Sequence, residues 1–333
     1  MSNAGVEVVI AVENDHDAAT SFRLNHLKAR VIERDIRAIR PAELLPEVQA
    51  IRDSGGFLVF AACTPCQPFS KQRRGSGHDD PRSYLLREFL RFVSALRPDF
   101  VFCENVPEAR EWAGAKGSPA VDLMRVLDSL GYHFAEKIVD CRDYGVPQRR
   151  ARWILMASSH GMLSWPRRTH GPDRNRAWTG VREWIAGLPP LRAGEVWATD
   201  PVHRAARLSR LNLRRIRSTP VGGSRLDWPD RLVLECHRRS PRSFTDVYGR
   251  LRMDEPASAI TTRCISLSSG RFGHPDQDRA ISLREAACIQ TFPRDYLLVG
   301  NLESIAAQVG NAVPVLLAER FGRRFVDAVR RSR

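Results

Sequence analysis

A cysteine set between prolines, a glutamate and a run of arginines are the residues of this chain best suited to covalent chemistry. Cys66 lies in Cys63-Thr64-Pro65-Cys66-Gln67-Pro68-Phe69-Ser70, directly after the apolar run from Phe57 to Ala62. Glu104-Asn105-Val106 follows the apolar run Phe100 to Cys103, and Gln148-Arg149-Arg150-Ala151-Arg152 precedes another. A thiolate is the nucleophilic form of cysteine, and nearby positive charge populates it. Lys71, Arg73 and Arg74, with Gly75 and Gly77, supply that charge and suit both phosphate approach and a moving lid over 67–80. Thiolate, carboxylate and guanidinium on one rim supply a nucleophile, a proton donor and an anchor for a carbonyl oxygen. Taken singly, each also reads as an inert packed cysteine, a strand cap or a surface charge.

Cys63 and Cys66 also form a CxxC pair, the pattern of a redox couple or half a zinc site. Zinc needs a second ligand pair at matching spacing, and none follows. Pro65 and Pro68 make the segment a loop rather than the helix start of a redox motif. No metal is expected.

The elements that must position these residues alternate strand and helix over the first 160 residues, as in a parallel α/β sheet. Apolar runs predict strands over Val6 to Val12, at Val31-Ile32, over Phe57 to Ala62 and Phe100 to Cys103, and near 133–139 and 153–157. Helices are predicted from Ala18 to His26, Pro41 to Arg52 and Ser83 to Leu96, and over 120–130. The polar tripeptides and the cysteine loop all fall just past apolar runs, where the carboxyl ends of strands gather chemistry in such sheets. From about 166 to 275 the pattern breaks into Pro-, Gly- and Arg-rich loops; helices return from Ser282 to Gln290 and from Pro314 to about Arg330.

The net charge of +14 is unevenly spread, with 19 Arg and no Lys against 10 acidic residues between 160 and 255. Arg suits phosphates and guanine edges, so this stretch reads as a nucleic-acid surface. The Arg codons of a G·C-rich genome would give the same excess. Seven scattered cysteines are no secreted disulfide framework, and no apolar stretch or leader points to a membrane; the expected location is cytoplasmic.

In order along the chain, Pro65-Cys66-Gln67 with Phe69-Ser70, Glu104-Asn105-Val106, Gln148 to Arg152, Arg284 to Pro293 and Gln308-Val309-Gly310-Asn311-Ala312-Val313-Pro314 resemble the motifs of DNA (cytosine-5)-methyltransferases of bacterial type. The likeness spans residues 5 to 320. It implies a Rossmann-like, S-adenosylmethionine-dependent methyltransferase sheet of the α/β class with a smaller, irregular target-recognition domain. The implied division is a catalytic domain over 1–175, target recognition and hinge over 176–299, and a segment 300–333 that returns to the catalytic domain.

The resemblance further implies that Cys66 adds to cytosine C6, Glu104 serves the N3/N4 edge as proton donor, and Arg152 with Arg150 holds O2 and nearby phosphate. Gln67, Ser70 and Gln148 would line the DNA side, and the target base must be flipped out. For the methyl donor, S-adenosylmethionine, it implies Glu13 on the ribose hydroxyls and Asp35 with Ile36 on the adenine. Leu85, Asn311 and Val313 would close that pocket. Double-stranded DNA, a cognate restriction endonuclease and a monomeric state are the partners and assembly implied. An RNA cytosine-5 methyltransferase and a silent DNA-binding relative are the alternatives, the first disfavoured by the long Arg-rich stretch within 153–281.

The family opens with a strand and a glycine-rich turn that lets the backbone approach the methionine end of the cofactor. Here Met1-Ser2-Asn3-Ala4 leads directly into what resembles the second strand. A fragment of an active enzyme is the favoured expectation, with a sheet lacking its first strand and a weak hold on the cofactor; another segment filling the gap and a loss of cofactor binding are the alternatives.

Overall fold

A computed structural model describes residues 1–64, 84–112 and 117–332. In chain order the elements are β1 (Ile10–Glu13), α1 (His16–Asn25), β2 (Arg30–Glu33), α2 (Leu45–Asp53), β3 (Val59–Cys63), α3 (Leu85–Leu96), β4 (Phe100–Asn105), α4 (Glu108–Glu111), α5 (Pro119–Ser129) and β5 (His133–Asp140). There follow β6 (Gln148–Arg149), β7 (Ala151–Ser158), α6 (Arg182–Ile185), β8 (Val196–Trp197), β9 (Asp200–Arg204), α7 (Arg210–Arg217), α8 (Glu235–Arg239), β10 (Ala257–Ser258), α9 (Leu283–Ile289), α10 (Leu302–Asn311) and α11 (Val315–Ser332). They form two compact units, one of Met1–Asp140, Ala151–Arg167 and Leu317–Arg333, the other of Cys141–Arg150 and Arg168–Leu316.

The first unit is α/β, with a four-stranded sheet in the order β3-β4-β7-β5 and a two-stranded sheet of β1 and β2. β3 and β4 are parallel, as are β1 and β2, whereas β7 runs antiparallel to both β4 and β5. Each of β4's six residues is buried, as the continuous apolar run Phe100 to Cys103 demands of a central strand. α3 shows why its sequence is helical: Leu86, Phe89, Leu90, Val93 and Leu96 recur at helical spacing and are all buried. The first four pack with Leu123 and Leu127 of α5 and with Val101, Trp153 and Leu155 of the sheet, and Leu96 with Leu58 and Phe92. Phe321 and Phe325 of α11 meet Phe102 and Phe100, with ring centroids 5.7 Å and 5.3 Å apart. Asp15 caps α1, and Ser118 with Pro119 starts α5.

No ladder joins the two sheets among the described residues: β1 pairs with β2 alone and β3 with β4 alone. Among the described residues β1 and β3 form no further ladder, and Ala61 and Cys63 of β3 are exposed. No described helix is long and apolar enough to cross a membrane.

The second unit has little sheet, only the two-residue ladder of β6 with β10 and the hairpin of β8 with β9. Its core is built on α9 and α10 with Val181, Ile185, Ile260 and Phe272. Ser282 and Glu285 cap α9 reciprocally. The helices α7 and α10 were not anticipated from sequence. In α7, polar and charged residues surround one buried pair, Arg215 and Ile216.

Candidate active site

The parallel register of β3 and β4 sets Cys63 beside Glu104, and the antiparallel register of β4 and β7 sets Ile154 opposite Glu104. Arg152, two residues from Ile154, therefore projects from the same face as Glu104, on the diagonal. The three side chains meet. Arg152 Nε lies 2.8 Å from Glu104 Oε1, and the Cys63 thiol donates to Oε2 at 3.0 Å. Glu104 is 3% exposed, and a carboxylate so deep needs partners of this kind. Its Oε1 holds the ion pair without an aligned hydrogen bond, which leaves acceptor capacity for another group.

Asn105 ties the next segment to this pair. Its amide donates to the Thr64 carbonyl at 3.2 Å and the Thr64 hydroxyl at 2.8 Å, while its own oxygen accepts from Val106 N at 2.8 Å. The end of β4 thereby fixes the residue two positions before Cys66. Asn105 stands in a motif legible in the sequence, but neither this clamp nor the place of Cys63 as a partner of Glu104 is written there directly. Two strand ends aligned in parallel were the available signal. Cys66, Gln67, Ser70 and the proposed lid over 67–80 lie outside the described residues.

The other cysteines divide by burial. Cys103 and Cys264 are wholly buried, which pushes the first thiol up strongly and the second to about 12; Cys288 is pushed up to about 11. Such thiols stay protonated and unreactive. Among the described residues only Cys63 and Cys236 are exposed.

Two residues expected at the substrate serve the interior of the second unit instead. Gln148 is fully buried; its amide donates to Ile289 O and Gln290 Oε1, and its oxygen accepts from Ile260 N. Both ends of the amide are thus engaged within the second unit. Arg150 is 3% exposed and donates to the carbonyls of Ile260, Gly310 and Ala312 at 2.7, 3.0 and 3.1 Å. These bonds tie it to the loop around Asn311 and Val313. Gly310 permits a different close approach, of the Thr261–Thr262 backbone: a Cβ there would meet Thr262 N at 2.3 Å.

The residues expected at the cofactor fall in both units. In the first, Glu13 and Asp35 stand at and just past the carboxyl ends of the paired strands β1 and β2. Glu13 is half-buried, and its Oε1 accepts from Asn14 N and Asp15 N at 2.8 and 3.0 Å. The other oxygen accepts nothing among the described residues, so the carboxylate fits a vicinal diol such as a ribose. Asp35 accepts from the side chain and backbone of Arg37, which hold its carboxyl down at about 2. Ile36 is half-buried, its carbonyl taken by Arg91, and Leu85 is half-buried at the start of α3. In the second unit Asn311 is exposed at the end of α10 and Val313 is half-buried beyond it.

The profile of the C-5 cytosine-specific DNA methylases matches residues 1–327. A type II methylase of Herpetosiphon aurantiacus, M.HgiDII, is 38% identical over 332 residues, covering 98% of this chain and 90% of its own. The type II methyltransferase M1.HphI of Haemophilus parahaemolyticus is 29% identical, with 95% and 80% covered. Among solved structures, a DNA modification methyltransferase encoded within an E. coli prophage superposes with a TM-score of 0.73 at 19% identity, over 99% of this chain and 94% of that one. The Dnmt2 methyltransferase of S. pombe follows at 0.63 and 16%, over 98% and 93%. At those identities the structures establish the shared fold alone.

Proposed function

Because the chain belongs to the C-5 cytosine-specific DNA methylase family, and is a DNA (cytosine-5)-methyltransferase, we propose that it methylates C5 of a cytosine flipped out of a specific duplex sequence, through a covalent bond from Cys66 to C6. The Glu104–Arg152 pair at the end of β4 is the observation that carries this reading. A cytosine stacked in a duplex does not present both faces of C5 and C6 to an enzyme, which is why the base must leave the helix.

The Cys66 thiolate forms the bond to C6, and electron density moves to C5, which becomes nucleophilic. Glu104 holds a proton at N3 as that charge develops, while the guanidinium of Arg152 fixes the carboxyl and lies within reach of O2. S-adenosylmethionine, when bound, supplies the methyl group; Glu13 would hold its ribose, Asp35 and Ile36 its adenine, with Leu85, Asn311 and Val313 around it. Loss of the C5 proton then expels the thiolate and restores the ring. Asn105, through Thr64, keeps the approach to Cys66 in register with Glu104. Arg150 and Gln148 act one step removed, by shaping the second unit. The type II names of the relatives support a role beside a cognate restriction endonuclease, with a monomer acting on DNA in the cytoplasm.

A 5-fluorocytosine duplex tests the chemistry, because fluorine at C5 cannot leave as a proton does and the adduct is trapped. With S-adenosylmethionine present, the adduct should map to Cys66 by peptide mass. Mapping to Cys63, the other thiol of the pair, would overturn the assignment.

A further inference from the structure

Resting on that reading of the chain as an enzyme of duplex DNA, we infer that Phe244 is a base-stacking wedge, a DNA contact built into the second unit apart from the catalytic residues. A singly exposed aromatic ring needs no explanation by itself. The way this one is held does. Phe244 is 71% exposed, more than any other apolar aromatic among the described residues marked as exposed, yet its backbone is left-handed at φ +50. A bulky residue adopts that conformation at a cost and only where its surroundings impose it.

Arg225 imposes it. This guanidinium is 4% exposed and donates to the carbonyls of Pro241, Ser243 and Phe244 at 2.8, 2.5 and 3.2 Å. A buried arginine thus pins the three carbonyls of one turn from inside, and the turn presents the Phe244 ring to solvent. Were the turn mere connection, a glycine or asparagine would relieve the strain. Along the chain Arg238, Arg239 and Arg242 are all exposed within six residues of it, Arg239 paired with Glu235, and Asp246 on the other side pairs with Arg271. Apolar side chains on basic surfaces enter between base steps, and aromatic ones stack on bases without regard to sequence. A rigid turn suits that role because little freedom is lost when the ring is inserted.

The test uses the full chain and a fluorescently labelled duplex, with binding measured by anisotropy across a salt series. Phe244→Ala should weaken binding about tenfold, since stacking is worth ~5- to 150-fold per base, while the slope of log K against log salt stays unchanged. Phe244→Trp should bind at least as tightly as the unaltered chain. Phe244→Gly separates function from fold: it relieves the left-handed strain, so its melting temperature should stay level or rise as DNA affinity falls. Undiminished affinity in Phe244→Ala and Phe244→Gly would overturn the inference, and so would a loss of affinity that follows a loss of thermal stability. If the unaltered chain binds no duplex at any salt, the reading of the enzyme itself falls.

Discussion

Glu104 meets a cation at one oxygen and a thiol at the other, and this division predicts how each neighbour behaves when changed. Glu104→Gln keeps a hydrogen-bonding group but cannot hold a transferable proton and sets an amide N–H against a donor. Turnover should fall about 100-fold or more with much less effect on duplex affinity; near-normal single-turnover methylation would remove Glu104 from the chemistry. Cys63→Ala should slow turnover several-fold and Cys63→Ser should recover it, because a hydroxyl also donates to Oε2; equal impairment of both variants would mean that only packing was lost. Arg150→Ala should instead act on folding, by about 3 kcal/mol for three stranded carbonyls, seen in urea unfolding. Burial alternates strictly through Gln148, Arg149, Arg150, Ala151 and Arg152, buried at the first, third and fifth. Strand period two thus separates the exposed Arg149 from the buried Arg150 and Arg152, but it does not tell those two apart.

At the scale of elements, the places of the strands along the chain and the ends of β3 and β4 were legible as apolar runs bounded by polar tripeptides, whereas the antiparallel course of β7 beside β4 and β5 was not. α7 was not, since its helical pattern is written in arginines and its buried face includes one, Arg215, stacked near Trp228 and Tyr248. Local spacing also could not show the buried cluster of His274, Arg279 and Glu285, in which Arg279 pairs with both oxygens of Glu285 at 2.7 Å. His274 accepts from Asp276 N and Gln277 N through Nδ1, and burial lowers its pKa to about 4. A histidine neutral in the fold but protonated when unfolded stabilises fully above its ordinary pKa of about 6.5. That contribution is lost as pH falls from there toward 4. Urea unfolding at pH 7 and 4.5 should therefore differ by on the order of 2–3 kcal/mol from this residue. His274→Asn, whose carbonyl replaces Nδ1 as acceptor, should flatten that part of the profile; an unaltered profile would place the acid sensitivity elsewhere.

For the whole molecule, the charge of +14 overstates what DNA can meet. Within 160–255, Arg215, Arg225 and Arg250 are buried, and Arg250 alone donates to the carbonyls of Ile216, Thr219, His274 and Gln277. A unit with so little sheet uses guanidinium groups to satisfy backbone oxygens that ladders would otherwise take. The two readings of the Arg excess are thus joined by a third, internal one. Duplex affinity should still fall steeply with salt, and removing an exposed arginine such as Arg214 should lessen the slope by about 0.9 if it meets a phosphate. Arg250→Ala should abolish the fold of the second unit before any slope can be read.

The last helix has a consequence for how the protein comes into being. Phe321 and Phe325 cover Phe100 and Phe102, so this sheet face waits in translation for residues far further along the chain. At ~5–20 residues per second, that wait is roughly 10–35 s after β7 is complete. Through it the nascent chain presents bare aromatic rings and unpaired strand edges to the cell, the combination that recruits chaperones and favours aggregation. Phe321→Ala, costing about 3–5 kcal/mol in the finished protein, should therefore lower soluble yield at 37 °C more than at 18 °C, and co-expressed chaperones should recover part of it.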